Sequence, residues 1–230
     1  MAALARRNEI AETVQFAVLA LAVPPLLVLG RPFAPWRPGG RRTAFGRRMA
    51  RLAAARQRQP WMARALMFVA LEVGVIVAWR VPAAMDTLHR HPWLLVVQVA
   101  SLVIAGVGLW LELVASPPFA PRVARPWRAV LAAITMWPIW ILAYMVGFSE
   151  SNWYPAFDHA TKGLNGLGQQ ELATGVLWFA AGCVFVPVVF VDVMSWLKEG
   201  EDPDAELRRL IRSERRSGRL GPEGGRRSAA

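Results

Sequence analysis

Two stretches of this chain, Trp93 to Leu111 and Trp127 to Phe148, are apolar, poor in charge and each about as long as the ~20 residues that cross the hydrocarbon core of a bilayer. Inside that core every backbone N–H and C=O must be satisfied within the protein, so runs of this length are helices. The fold class that follows is an all-α integral membrane protein. Composition agrees: 55% of the residues are hydrophobic although the net charge is +11. A nucleic-acid binder would explain the charge but not the hydropathy. No zinc-ligand spacing, RNA-binding aromatic motif or long basic recognition helix accompanies it, so nucleic acid is not an expected partner. Cys183 is the only cysteine. It can form no intramolecular disulfide and no cysteine pair for a metal, and within its apolar run it reads as a packing residue.

Five spans are expected: Glu12 to Gly30, Met62 to Trp79, Trp93 to Ala115, Trp127 to Phe148 and Leu172 to Leu197. They divide the chain into an N-terminal segment (1–11), a transmembrane domain (12–197) and a basic tail (198–230). Pro24 and Pro25 interrupt the first span, which predicts a kinked or re-entrant helix there. That run meets Pro32, Pro35 and several arginines instead of a small-residue cleavage site, so it reads as retained in the mature protein.

Basic residues orient the spans. Arg31 to Arg64 holds ten arginines, the third connection adds Arg122, Arg125 and Arg128, and the tail after Leu197 adds nine Lys and Arg. With five spans these 22 residues fall on one side, against Arg6, Arg7, Arg80, Arg90 and Lys162 on the other. The excess predicts that the first group is cytoplasmic, with the N-terminus outside and the C-terminus inside. Within the long basic loop, residues 41–58, Phe45, Met49 and Leu52 recur at helical spacing among arginines. This suits an amphipathic helix on an anionic leaflet, with the basic tail as a second contact for anionic lipid; a disordered basic loop is the alternative. In the tail, Asp202 can cap a short helix with Pro203 at its first position, and the Gly, Pro and Arg content beyond Ser217 predicts disorder.

Three stretches, in order, resemble one family, the CtaG-like cytochrome c oxidase assembly factors of bacteria. Val14-Gln15 followed by Ala22-Val23-Pro24-Pro25-Leu26-Leu27-Val28-Leu29-Gly30 is similar to the family's HMVQH, leucine-rich run and APPLLVLG. Trp79-Arg80-Val81-Pro82-Ala83-Ala84-Met85-Asp86 resembles WHLPALYD, and Gly106 to Trp110 resembles G-x-x-F-W. Trp153-Tyr154-Pro155, Gln170-Glu171-Leu172-Ala173 and Leu177-Trp178 resemble the YP and DQQLAG-x-x-MW elements. The resemblance implies a multi-pass protein of the bacterial plasma membrane that assists oxidase assembly, with oxidase subunits or other membrane-complex subunits as partners.

The departures are chemical. Glu12 and Phe16 stand where HMVQH has histidines, Arg80 stands at the histidine of WHLP, Leu95, Gln98 and Val99 stand in place of H-x-x-E-H, and Gln169 replaces the aspartate of DQQ. Imidazole is the ligand a copper site would need there, and aliphatic or guanidinium groups do not replace it. The chain also lacks the membrane segments the family usually carries before HMVQH, so it reads as a truncated, divergent relative. The primary expectation is therefore action through protein contacts, with no cofactor and no enzymatic activity. Alternatives are a copper-handling protein and a permanent accessory subunit of a membrane complex.

A few residues could carry more. His89, His91 and His159 lie on the predicted outer side near Asp86 and Asp158, and are the candidate metal ligands. Glu72 sits mid-span, where an ionised carboxylate costs roughly 2.5 to 3.5 kcal/mol on insertion scales, so it should face protein and be paired or protonated; a structural carboxylate is the first reading and part of a proton or cofactor path the alternative. Gln98 or Gln15 are its expected partners. Glu112 and Asp192 lie near cytoplasmic helix ends and are expected to reach Arg122, Arg125 or Lys198. Glu72, Gln98 and Asp192 are thus the expected structural polar residues within the membrane. Trp93, Trp153, Tyr154 and Phe157 are expected to form an outward-facing aromatic group that fits an interfacial belt as well as a binding surface. No nucleophile elbow, phosphate-cradling Gly loop or pair of catalytic carboxylates is present.

Overall fold

The computed structural model describes residues 8–31, 44–157 and 165–200, and all structural statements below concern these. The expected tail helix at Asp202 and the residue His159 lie outside them. Seven helices are described, and five of them are long and apolar enough to cross a membrane. The five are α1 (Glu9–Leu29), α3 (Trp61–Arg80), α5 (Leu94–Leu113), α6 (Arg125–Gly147) and α7 (Gly166–Gly200). Two shorter helices, α2 (Ala44–Arg58) and α4 (Pro82–Arg90), lie at opposite ends of the bundle. Each of the five expected spans is present as one helix. The largest difference in extent is in α7, which begins at Gly166 instead of Leu172.

The start of α1 is set by Asn8, whose side chain accepts from the Ala11 N–H at 3.1 Å, with Glu9 and Glu12 in the first turn where the helix dipole favours acids. The two prolines do not break it. Residues Val18–Ala22 form a π-helical turn, and the α-helix resumes at Val23–Leu29 with the prolines in its first turn, where their missing N–H groups cost least. The helix is one continuous element over Glu9–Leu29.

In α3 the buried residues Ala65, Val69, Glu72, Ile76 and Arg80 recur every three or four positions, one stripe on an otherwise lipid-compatible helix. It ends because Val81 precedes Pro82 and takes an extended conformation, φ −66° and ψ 134°. Pro82 then serves as the first residue of α4.

The spans close into a ring. The α6–α7 contact is the most extensive, α1 packs against α7 on one side and α5 on the other, and α3 packs against α5 and α6. The approach of α1 to α5 is possible only at glycine: a Cβ on Gly106 would lie 2.4 Å from Pro24 Cγ. Trp110 of α5 stacks on Phe185 of α7 across the interior, with centroids 5.8 Å apart. Helix α2 forms as expected, but its inward face is not left for lipid. Met49 packs against the core and Ala53 is buried, while Leu52 and Arg47, Arg48, Arg51 and Arg58 are exposed.

Candidate functional site: a buried charge cluster

Helices α1 and α5 run the same way and meet where Pro24 faces Gly106; Glu72 of the antiparallel α3 arrives at the same level, its Oε1 3.5 Å from where a Gly106 Cβ would be. Eight residues from each of these toward the α4 end, about 12 Å along a helix, stand Phe16, Gln98 and Arg80. Positions scattered over 83 residues of sequence thus share one layer of the bundle.

In that layer Arg80 Nη1 donates to Glu12 Oε2 at 2.8 Å, and its guanidinium carbon lies 4.3 Å from the centroid of the Phe16 ring. Glu9, one turn before Glu12, is 1% exposed, and neither of its oxygens accepts a hydrogen bond from a described residue. Arg80 Nε and Nη2 likewise donate to none. A cavity of about 10 Å³ touches Glu9, Thr13, Arg80, Tyr154 and Thr174, room for roughly one water, which would answer these groups.

Tyr154 closes the cluster. Its hydroxyl donates to the Arg80 backbone carbonyl at 2.8 Å, and burial pushes the phenol up to about 12. The loop that carries it is held by Gln170, whose Oε1 accepts from the Trp153 N–H at 2.8 Å and whose Nε2 donates to the Val146 carbonyl at 2.7 Å. Tyr154 and Phe157 are therefore core residues, buried with Met85 and Val146, and not members of an outward belt; Trp93 is exposed as expected. The reason is that Gln170 folds the loop inward over α4.

Other expected residues fall elsewhere. Glu72 is fully buried, and neither Gln98 nor Gln15 reaches it; it has no hydrogen-bond partner among the described residues, and Gln98 Nε2 and Gln15 Oε1 have none either. Glu112 is held by Arg56 of α2 at 2.5 Å and by Arg64 of α3 at 2.6 and 2.9 Å, not by the third connection. Helix α2 docks back on the bundle, which places Arg56 over Phe68 and Phe119 beside the α5 terminus. Arg122 donates instead to the Gln57 carbonyl. Asp192 has Arg128 and Arg125 as its charged neighbours. Cys183 is exposed, not packed inside, because α7 turns that face away from the ring.

His89 Nδ1 is 3.0 Å from the Met85 carbonyl one turn back and its ring packs edge-on against Phe157, 4.8 Å between centroids; His91 is exposed. No group of three or more His, Cys, Asp or Glu side chains with ligand geometry occurs among the described residues.

The donor set of the buried layer does not fit copper. Phe16 has no ligating atom, and a guanidinium 2.8 Å from the single carboxylate of Glu12 opposes a cation there. What these side chains do is join α1 to α3 and hold the Tyr154 loop against both. Sequence reasoning marked Glu12, Phe16 and Arg80 as departures but missed that they touch. The available signal was that an acid and a base occupied two motif positions at once.

No curated protein and no solved structure matches the chain. The model of one family does match it, over residues 1–199, and that extent joins the order of motifs on α1, α3–α4 and α7. The chain belongs to the cytochrome c oxidase caa3 assembly factor family (Caa3_CtaG).

Proposed function

We propose that this chain assists oxidase assembly from within the bacterial plasma membrane, by protein contacts and without holding copper at the layer of Glu12, Phe16 and Arg80. The observation that carries this reading is the substitution itself. Where the family pattern has imidazoles on two helices, this chain has a carboxylate and a guanidinium paired at 2.8 Å, a group that keeps the helices together and has no place for a metal. In this reading the N-terminus is outside, α2 and the tail are cytoplasmic, and the exposed arginines of α2 rest on anionic lipid.

Two measurements test it together. The purified chain should contain no stoichiometric copper by elemental analysis, with or without His89→Ala and His91→Ala, and it should co-isolate with immature oxidase but not with the mature enzyme. One tightly bound copper per chain that is lost in the double histidine variant would establish copper handling instead. Stoichiometric presence in the mature complex would make it a permanent subunit.

A further inference from the structure

A groove of about 560 Å³ runs down the outside of the ring between α1, α5 and α7, a volume in the range of small-molecule sites. Its chemistry changes along its length. At the α2 end stand Arg128 and Asp192, with Arg125 exposed one turn away. The walls below them are apolar, and they reach Ala22 on α1 and Cys183 on α7. Asp192 to Cys183 is nine residues, about 13 Å of helix, and Leu29 to Ala22 is seven residues, about 10 Å. The groove therefore lies along the bilayer normal, polar at the membrane surface and apolar in depth.

Trp110 forms part of the wall about one turn below the end of α5. It is 3% exposed, and its indole N–H has no acceptor among the described residues. A buried N–H left without an acceptor is costly, so an occupant of this groove gains by bringing one.

We propose that the groove seats one anionic phospholipid. The phosphate lies at Arg125 and Arg128, the ester carbonyl accepts from Trp110 Nε1, and one acyl chain fills the space down to Cys183. Each part of that molecule meets its counterpart by depth: at the surface Arg128 and Arg125 outnumber the neighbouring Asp192 carboxylate by one charge, a lone donor stands one turn below, and hydrocarbon lies beneath. A protein helix would match the apolar walls but offers no phosphate for the two arginines and no free acceptor for the indole, since its own carbonyls are already bonded. The seat is separate from the exposed arginines of α2, which meet the leaflet as a surface.

Native mass spectrometry of the full chain, equilibrated with equimolar phosphatidylglycerol and phosphatidylcholine in detergent micelles, tests this. The expected result is one retained lipid per chain, at least fivefold enriched in phosphatidylglycerol. Arg128→Gln should remove the enrichment, and Val188→Trp should remove the lipid. Because Val188→Trp asks a variant to fold, the folded wild-type protein is also treated with benzyl methanethiosulfonate, which fills the deep end through its only thiol, Cys183; the lipid should leave. Retention of the same lipid after that treatment, equal retention of both lipids by the wild type, or no retained lipid at all would each overturn the proposal.

Discussion

Removing Arg80 should cost far more than neutralising Glu12, although the two form one ion pair. Arg80→Met leaves Glu9 and Glu12, 1% and 9% exposed, as two buried carboxylates with no cation between them. Breaking a buried pair in this way costs about 3 to 5 kcal/mol. The lost contact of the guanidinium with the Phe16 ring adds roughly 0.5 to 2 kcal/mol. Glu12→Gln is different, because the amide oxygen still accepts from Nη1 and Glu9 remains nearby to balance the arginine. The change there is from a charged to a neutral hydrogen bond, about 1 kcal/mol. In the double variant the remaining imbalance is the single Glu9 carboxylate, so the two losses should be non-additive, with the double variant no worse than Arg80→Met alone. Reversible unfolding of the three variants in mixed micelles of increasing SDS, followed by circular dichroism, measures all of this. If Glu12→Gln proves as destabilising as Arg80→Met, Glu9 does not share the guanidinium and the account of the cluster is wrong.

Glu72 should behave in the opposite way: with no partner for its carboxyl, Glu72→Met is expected to be neutral or stabilising in the same unfolding assay, and a loss of more than about 1 kcal/mol would reveal an interaction the structure lacks. Gly106→Ala should destabilise by about 1 to 3 kcal/mol, since the added methyl meets the Pro24 ring at 2.4 Å; its rescue by Pro24→Ala would tie the loss to that contact. For orientation, in a Cys183→Ala background a cysteine at Ser151 should react with an impermeant reagent added outside cells, and one at Arg47 should not. The reverse pattern would invert the proposed topology.

The spans were legible because length and hydropathy are properties of a single segment, and nothing elsewhere in the chain alters them. The π-turn of α1 was not, since Pro24 and Pro25 specify that the hydrogen-bond ladder must yield but not whether it breaks or widens. Helix α4 was missed because nine residues after a proline give too short a period to read, and Gln170, 80 residues beyond its last residue, helps to bury it. Partner choice was the least legible feature. Glu112 had arginines within reach in the adjoining loop, yet took Arg56 and Arg64 from the docked helix and its neighbour. Charge pairing between helices depends on which faces meet, and that is decided by packing at residues such as Gly106 that carry no charge themselves.

The ring order of the spans imposes a schedule on biogenesis. Of the five described spans α1 is made first, but both of its neighbours, α5 and α7, are synthesised later, and α7 last of the five. Until α3 is complete and delivers Arg80, the amino-terminal turn of α1 lacks the cation that Glu12 pairs with in the folded bundle. The earliest of these five spans is thus the last to be enclosed, held at the edge of the nascent bundle until α7 arrives.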